Sequence, residues 1–237
     1  MAIHDTQALV SQQSQHMRRS VALALLCALG LWCVKLVEFL FGLDLSVYGV
    51  FPRQLSGLVG VIFGPLIHGS FSHLLANTLP VLVLLTLLMY GYKRSTRIVV
   101  PVLYFGVGVL VWLFARESYH IGASGFTFGL MFFLFVVGIL RRDKQSIALS
   151  LVVFFLYGGM LGGLYSEDAG ISFESHMAGA VIGVVLAFIL RQHDPAPPPK
   201  RYSWEGEDDF TESDSGLEIK DRQSTIIEQP HDNRTIH

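Results

Sequence analysis

The feature that most constrains this chain is a series of six apolar blocks, each about as long as a helix that crosses a bilayer. A helix rises 1.5 Å per residue, so about 20 apolar residues cover the hydrocarbon core of a membrane. Charged residues make up only 15% of the chain, against roughly 25% in soluble domains. We therefore predict an all-α polytopic membrane protein with six transmembrane helices. The blocks lie at residues 21–41, 74–90, 98–115, 124–140, 147–165 and 173–190.

The segments outside these blocks differ from them in composition. Residues 55–67 are apolar but too short to span, and Gly64-Pro65 interrupts them, so we expect a re-entrant or interfacial loop after the first helix. The polar residues 1–20 predict a short cytoplasmic segment, and residues 21–190 a single membrane domain. Residues 191–237 are acidic and begin with a proline-rich run, which predicts a disordered tail.

Lysine and arginine residues collect in alternate connections between the blocks. They precede the first block, lie between blocks two and three and between blocks four and five, and follow block six. Cytoplasmic loops carry an excess of these residues, so we predict that both termini are cytoplasmic. Blocks two, four and six then each start at the outer face. The same pattern, without a recognisable targeting peptide, favours a bacterial inner membrane.

Four polar residues interrupt blocks two, four and six near their predicted outer ends. His73 and Asn77 are four residues apart and share one helix face, Ser124 opens block four, and His176 lies near the start of block six. Polar side chains at membrane depth are costly, which makes them candidates for function. Because all three blocks start on the same side, these four side chains can meet.

Glycine spacing indicates which helices would bring them together. Gly125 and Gly129 form a G-x-x-x-G pattern in block four, and Gly179 and Gly183 form another in block six. Small residues at this spacing let two helix backbones approach closely. We expect the fourth and sixth helices to pack there and to bring the serine to the second histidine.

A serine beside a histidine is the minimal activated nucleophile for acyl transfer, because the imidazole takes the hydroxyl proton. The oxyanion that develops also needs donors, and the Ser124 N–H, His73 and Asn77 are candidates. No aspartate lies in the inner part of any block, so we expect a Ser124–His176 dyad.

Three motifs occur along the chain in this order: H-x-x-x-N, G-A-S-G and H-x-x-G-x-x-x-G. Together with the long loop after the first helix, they resemble the pattern of the rhomboid intramembrane serine proteases over residues 20–190. The resemblance implies that Ser124 is the nucleophile, His176 the base, and His73 and Asn77 the oxyanion site. It implies cleavage of single-pass transmembrane substrates in or near the lipid bilayer through an acyl-enzyme, with no cofactor and no metal. Residues 166–173 are similar in position to a gating cap loop, and residues 42–72 to a half-submerged loop.

Two positions depart from the family pattern. The Trp-Arg pair common in the loop after the first helix is absent, and Pro52-Arg53 offers only the arginine. Phe128 stands where many members have tyrosine, which keeps a ring that can pack against His176 and loses the hydroxyl.

The alternative function is a non-catalytic rhomboid-like membrane chaperone or binding protein. Such relatives typically lose the serine or the histidine, and this chain keeps both. An H-E-x-x-H zinc motif, a pair of membrane aspartates and nucleic-acid signatures are absent from the sequence, and no oligomeric state is indicated. A transporter is disfavoured because the polar residues gather at one membrane face.

Other polar residues in or near the blocks receive simpler interpretations. We expect His68 to bond to the loop backbone and His120 to be interfacial. Lys35 and Glu38 could form an ion pair or a partner site, but snorkelling to the interface explains them more simply.

Overall fold

The computed structural model describes residues 2–165 and 172–195. Six of its helices are long and apolar enough to cross a membrane, so the prediction of a six-span all-α protein is confirmed. Of the helices given in the next sentence, only α2 is too short to span. Helix α6 reaches a spanning length together with a 3-10 continuation at Gly158–Tyr165. The helices are α1 (Ala2–Phe41), α2 (Gly60–Phe63), α3 (Phe71–Gly91), α4 (Lys93–Phe114), α5 (Ser124–Arg141), α6 (Lys144–Tyr157) and α7 (Phe173–Leu190).

Helices α1 and α3 begin earlier than their apolar blocks. Helix α1 begins at Ala2, so the polar N-terminal residues continue into the same helix; their assignment to the cytoplasm stays a prediction. Helix α3 begins at Phe71 because Ser70 caps it, its Oγ accepting the N–H of His73 at 3.1 Å. The cap places His73 in the first turn of the helix.

The connection between α1 and α3 consists of short helical pieces, none long enough to span. Its anchors come from the end of α4: Arg53 Nη1 donates to the Ala115 carbonyl at 2.8 Å, and the Trp112 indole donates to the Gln54 carbonyl at 2.8 Å. A tryptophan from α4 therefore holds a loop that lacks one of its own. The pieces are Leu45–Tyr48, Leu55–Val59, α2 and Gly64–Leu66.

Helix α5 lies at the centre of the bundle, with α7, α6 and α3 around it. In α5, 56% of the residues are buried, against 17% in the apolar window of the α6 span. A helix enclosed on several sides is held by packing all round. The first residue of this central helix is Ser124.

At the opposite end of the bundle from Ser124, a buried carboxylate ties several elements together. Asp194 accepts the N–H groups of Arg94 at 2.6 Å and Ser95 at 3.2 Å, which caps the start of α4. Arg141, at the end of α5, donates to the Asp194 carbonyl at 2.8 Å. This cap explains why α4 begins at Lys93, ahead of its apolar block.

Two predicted segments fall largely outside the described residues. Residues 166–171 of the expected cap loop and residues 196–237 of the expected acidic tail are among them. The domain boundaries at residues 20 and 190 also stay predictions.

Candidate active site

The close contact between helices α5 and α7 is the feature that assembles the candidate site. A methyl group on Gly179 would collide with the Gly125 carbonyl, and one on Gly183 would collide with the Gly129 carbonyl. Only glycine permits this backbone approach. The predicted packing of the two G-x-x-x-G patterns is therefore confirmed, and it brings the first turns of both helices together.

Ser124 and His176 meet at this contact. The Oγ of Ser124 lies 2.9 Å from Nε2 of His176, and Nδ1 of His176 lies 2.9 Å from the carbonyl oxygen of Gly163. A carbonyl can only accept, so Nδ1 carries the hydrogen and Nε2 is left to accept the serine hydroxyl. The arrangement selects the tautomer that a general base needs.

The acceptor for Nδ1 is a group that sequence reasoning missed. Gly163 belongs to the 3-10 continuation of α6, and its carbonyl stands where a triad would place a carboxylate. A backbone oxygen has no sequence signature. The glycine itself gives one weak signal, since a Cβ there would lie 3.1 Å from Nδ1 of His176.

The face of the His176 ring is covered by Phe128. The two ring centroids are 4.0 Å apart and the planes differ by 6°, which is a stacked geometry. The expected packing of Phe128 against His176 is confirmed. The stack and the Gly163 bond together fix the orientation of the imidazole.

His73 and Asn77 face the same cavity as the serine–histidine pair. Gly122 has φ +107°, and a Cβ there would lie 2.7 Å from Cε1 of His73, so glycine lets the chain pass the ring just before Ser124. One hydrogen of the Asn77 amide goes to the His73 carbonyl at 2.9 Å. An amide nitrogen has two hydrogens, so a second one remains for a ligand.

A cavity of about 740 Å³ connects these groups. This volume lies in the range of small-molecule and peptide sites. Its walls combine the polar cluster with apolar side chains from α3, α5 and α6. The residues that line it are Ser72, His73, Ala76, Asn77, Pro80, Ile121, Ser124, Phe128, Tyr157, Met160, Gly163, Ser172 and His176.

His68 supports the chain just before Ser124, and the expected bonding to loop backbone is confirmed. Its Nε2 accepts the N–H of Ala123 at 3.4 Å, and its Nδ1 lies 3.3 Å from the Leu66 carbonyl. Burial lowers the pKa of His68 to about 4, with a smaller contribution from the neighbouring His73 ring. The ring is therefore neutral near pH 7 and keeps a lone pair for Ala123.

Lys35 and Glu38 do not snorkel, so that interpretation is wrong. The side chains are each 11% exposed, and Nζ of Lys35 contacts Glu38 Oε2 at 2.7 Å and the His68 carbonyl at 2.8 Å. The loop before α3 presents carbonyls that need donors, and the lysine supplies them. The pair thereby ties α1 to the segment that carries His68.

His120 is buried, with 4% of its surface exposed, and its expected place at the membrane interface stays a prediction. Its Nδ1 lies 2.7 Å from Ser172 Oγ and its Nε2 3.0 Å from the Arg116 carbonyl. Its backbone forms a bridge to Val50, with bonds of 2.8 and 3.0 Å. The residue therefore joins its own segment to the loop after α1 and to Ser172, which lines the cavity.

Comparison with known proteins agrees with this architecture. The family model described as the Rhomboid domain matches residues 52–193. An uncharacterized protein of Mycobacterium tuberculosis is 40% identical over 170 residues, which cover 68% of this chain and 70% of that protein. An uncharacterized protein of Mycobacterium leprae is 35% identical over 170 residues, covering 68% of this chain and 67% of that protein. The chain is an integral membrane protein that belongs to the rhomboid family.

Proposed function

We propose that this protein is a rhomboid-type serine endopeptidase that cleaves transmembrane proteins in or near the bilayer. The observation that carries the proposal is the alignment of Ser124 Oγ, His176 Nε2 and, behind the ring, the Gly163 carbonyl, with both distances at 2.9 Å. A serine whose hydroxyl faces the lone pair of an oriented imidazole is an activated nucleophile.

In the first step, Ser124 Oγ attacks the carbonyl carbon of the scissile peptide bond and its proton passes to Nε2 of His176. The Gly163 carbonyl stabilises the imidazolium through Nδ1–H. The negative charge on the peptide oxygen is met by donors from His73, Asn77 and the Ser124 N–H. As the first residue of α5, Ser124 has an N–H without an acceptor inside the helix.

In the second step, His176 gives its proton to the leaving amine and the C–N bond breaks, leaving Ser124 as an ester. Water then attacks this acyl-enzyme, with His176 again taking the proton. His176 returns this proton to Ser124 Oγ as the ester C–O bond breaks, and the new carboxyl terminus leaves. The cavity of about 740 Å³ supports both steps, because it has room for a length of extended peptide and for water beside the serine.

Substrate and placement follow from the family and the charge pattern. We propose single-pass transmembrane proteins as substrates, a bacterial inner membrane as the location, and cytoplasmic termini. Mycobacterial relatives and basic residues in alternate connections support this placement. Ser124 and His176 then lie near the outer face, where water is available.

The test is reaction of the detergent-purified full chain with a fluorophosphonate probe, followed by cleavage of single-pass substrates in liposomes. We expect wild type to be labelled, and Ser124→Ala and His176→Ala each to lose more than about 10³-fold in rate. Ser150→Ala is a matched control, because this buried serine lies in a span and donates only to its own helix, to the Ile147 carbonyl.

Two results would overturn the proposal. One is cleavage by the Ser124→Ala variant at the wild-type rate. The other is a folded wild type that neither reacts with the probe nor cleaves any substrate, which would favour the non-catalytic chaperone or binding protein. Loss of labelling in Ser150→Ala would show that the readout follows folding and not the nucleophile.

A further inference from the structure

His120 is a buried imidazole that the proposed chemistry leaves unused, and it contacts Ser172, which lines the cavity. Both ring nitrogens are bonded: Nδ1 lies 2.7 Å from Ser172 Oγ, and Nε2 lies 3.0 Å from the Arg116 carbonyl and 3.3 Å from Ser118 Oγ. Placing an imidazole away from water is costly unless its nitrogens are paired. An apolar side chain would fill the same space without needing these bonds.

The direction of these bonds can be assigned from the partners. The Arg116 carbonyl only accepts, so Nε2 carries the hydrogen and Nδ1 accepts the Ser172 hydroxyl. Ser172 Oγ in turn accepts the N–H of Ser175 at 3.2 Å and lies 2.7 Å from the Ser175 hydroxyl, which is free to donate to it. Every lone pair and hydrogen of the Ser172 hydroxyl then has one partner.

Ser172 is the N-cap of α7, and the cap controls the first turn of that helix. The N–H of His176 points to the Ser172 carbonyl at 3.3 Å. The two bonded residues hold equivalent positions in their segments. His120 lies four residues before Ser124, and Ser172 lies four residues before His176. The His120–Ser172 bond therefore connects the segment that leads into the nucleophile to the segment that leads into the base.

The backbone of His120 is fixed independently of its side chain. It exchanges two hydrogen bonds with Val50 of the loop after α1. A Cβ at Gly125 would also lie 2.8 Å from the Ser175 carbonyl, so the two helix starts are already in contact below the bond. Loss of the side-chain bond would thus shift the cap of α7 by a small amount without separating the helices.

We propose that His120 is a positioning residue, which sets the distance between Ser124 and His176 through its bond to the Ser172 cap. The inference rests on the proposed protease function. It does not assign His120 any contact with substrate or with the reacting atoms. Displacements of about 1 Å from a distant change can cost about 10²-fold in rate, which sets the size of effect to expect.

The two amide substitutions of His120 separate its two bonds. Asparagine places a carbonyl oxygen near the position of Nδ1 and can still accept the Ser172 hydroxyl. Glutamine reaches the position of Nε2 and can still donate to the Arg116 carbonyl, but it loses Ser172. We expect His120→Gln to lower the maximal rate of fluorophosphonate labelling about 10- to 100-fold with the half-saturating probe concentration unchanged. His120→Asn should recover the wild-type rate to within about 3-fold.

A double-variant cycle tests whether the effect passes through Ser172. If it does, His120→Gln combined with Ser172→Ala will be no slower than Ser172→Ala alone. Rate losses that multiply would overturn the proposal. Equal labelling rates for wild type and both amide variants would also overturn it. So would equal rate losses in both variants together with a lowered thermal midpoint, because that result indicates that His120 contributes only packing.

Failure of the proposed function gives a different result. A folded wild type that resists the probe and cleaves no substrate removes the nucleophile, and this inference with it. A reactive wild type with unresponsive His120 variants removes only the positioning role.

Discussion

Helix α5 packs against α7 and against the second half of α6 in opposite ways. Towards α7, the backbones meet at Gly179 and Gly183 with no room for a methyl group. At the start of α6 the helices also approach closely, since a Cβ at Gly138 would lie 2.5 Å from the Ser146 carbonyl. Towards the second half of α6, however, the contact is made by aromatic side chains such as Phe135 and Phe154, with ring centroids 5.8 Å apart. An apolar cavity of about 130 Å³ remains on this second side.

The difference shows which contact sets the geometry of the site. Backbone atoms in contact cannot move apart by changing a rotamer, so the α5–α7 face fixes the relative positions of Ser124 and His176. Aromatic side chains beside a cavity can rearrange, so the part of the α5–α6 face around Phe135 and Phe154 tolerates change. Substitutions on the two faces should therefore differ in effect, even when they are chemically the same.

The largest effect is expected for Gly179→Ala. The added methyl meets the Gly125 carbonyl, and relief requires the helices to separate; overpacking of this kind costs about 1–3 kcal/mol or more. We expect a lower thermal midpoint in detergent and a labelling rate reduced at least about 10²-fold.

Gly159→Ala is the matched control, because a Cβ at that glycine meets nothing within 4 Å. It should leave both the thermal midpoint and the labelling rate near wild type. Equal effects at the two glycines would show that the close contact at Gly179 does not determine the site.

An intermediate effect is expected from protonation of His68, which supports α5 through Ala123. Its pKa is about 4 in the folded protein against an ordinary 6.5. Between these values the unfolded chain binds more protons than the folded one, so the free energy of unfolding decreases as the pH falls from 6.5 towards 4. Above pH 6.5 this contribution to stability is fully present.

Thermal midpoints measured from pH 7.5 to pH 4.5 would follow this dependence. His68→Asn removes the titrating group and should flatten the profile while lowering the midpoint at neutral pH. A variant profile parallel to that of wild type would assign the acid sensitivity to other groups.

The smallest effect is expected for Phe154→Ala on the α6 side. This side chain is 49% exposed and already borders the apolar cavity, so its removal takes few protein contacts away. We expect a change in thermal midpoint equivalent to less than about 1 kcal/mol. Phe133→Ala, which removes a fully buried ring from α5, should cost about 3–5 kcal/mol. A larger loss at Phe154 would mean that α6 is held as firmly as α7.

The parts of the fold that could be predicted from sequence are those determined by local spacing. Six spans follow from the lengths of the apolar blocks. The approach of α5 to α7 follows from glycines four residues apart, since that spacing fixes a helix face. The meeting of Ser124 with His176 follows from that face together with the shared direction of the helices.

The parts that could not be predicted depend on partners far away in the chain or on backbone atoms. Asp194 caps α4 across 100 residues, and no local pattern marks it. Lys35 is paired with the His68 carbonyl, which an apolar context alone does not reveal. The bond of His120 was missed for the same reason, because its partner Ser172 belongs to a segment 52 residues away.

The use of the Gly163 carbonyl to orient His176 has a genetic consequence. A side-chain orienter can be deleted by one codon change, whereas a main-chain oxygen persists whatever residue is encoded there. An alanine scan would therefore delete only two of the three groups in this relay. At Gly163 it would act by crowding His176, whose Nδ1 would lie 3.1 Å from the new Cβ, and would leave the acceptor in place. Inactivating alleles within Gly158–Tyr165 should be insertions, deletions and prolines, which alter the path of the backbone, and larger residues at Gly163, which crowd the ring.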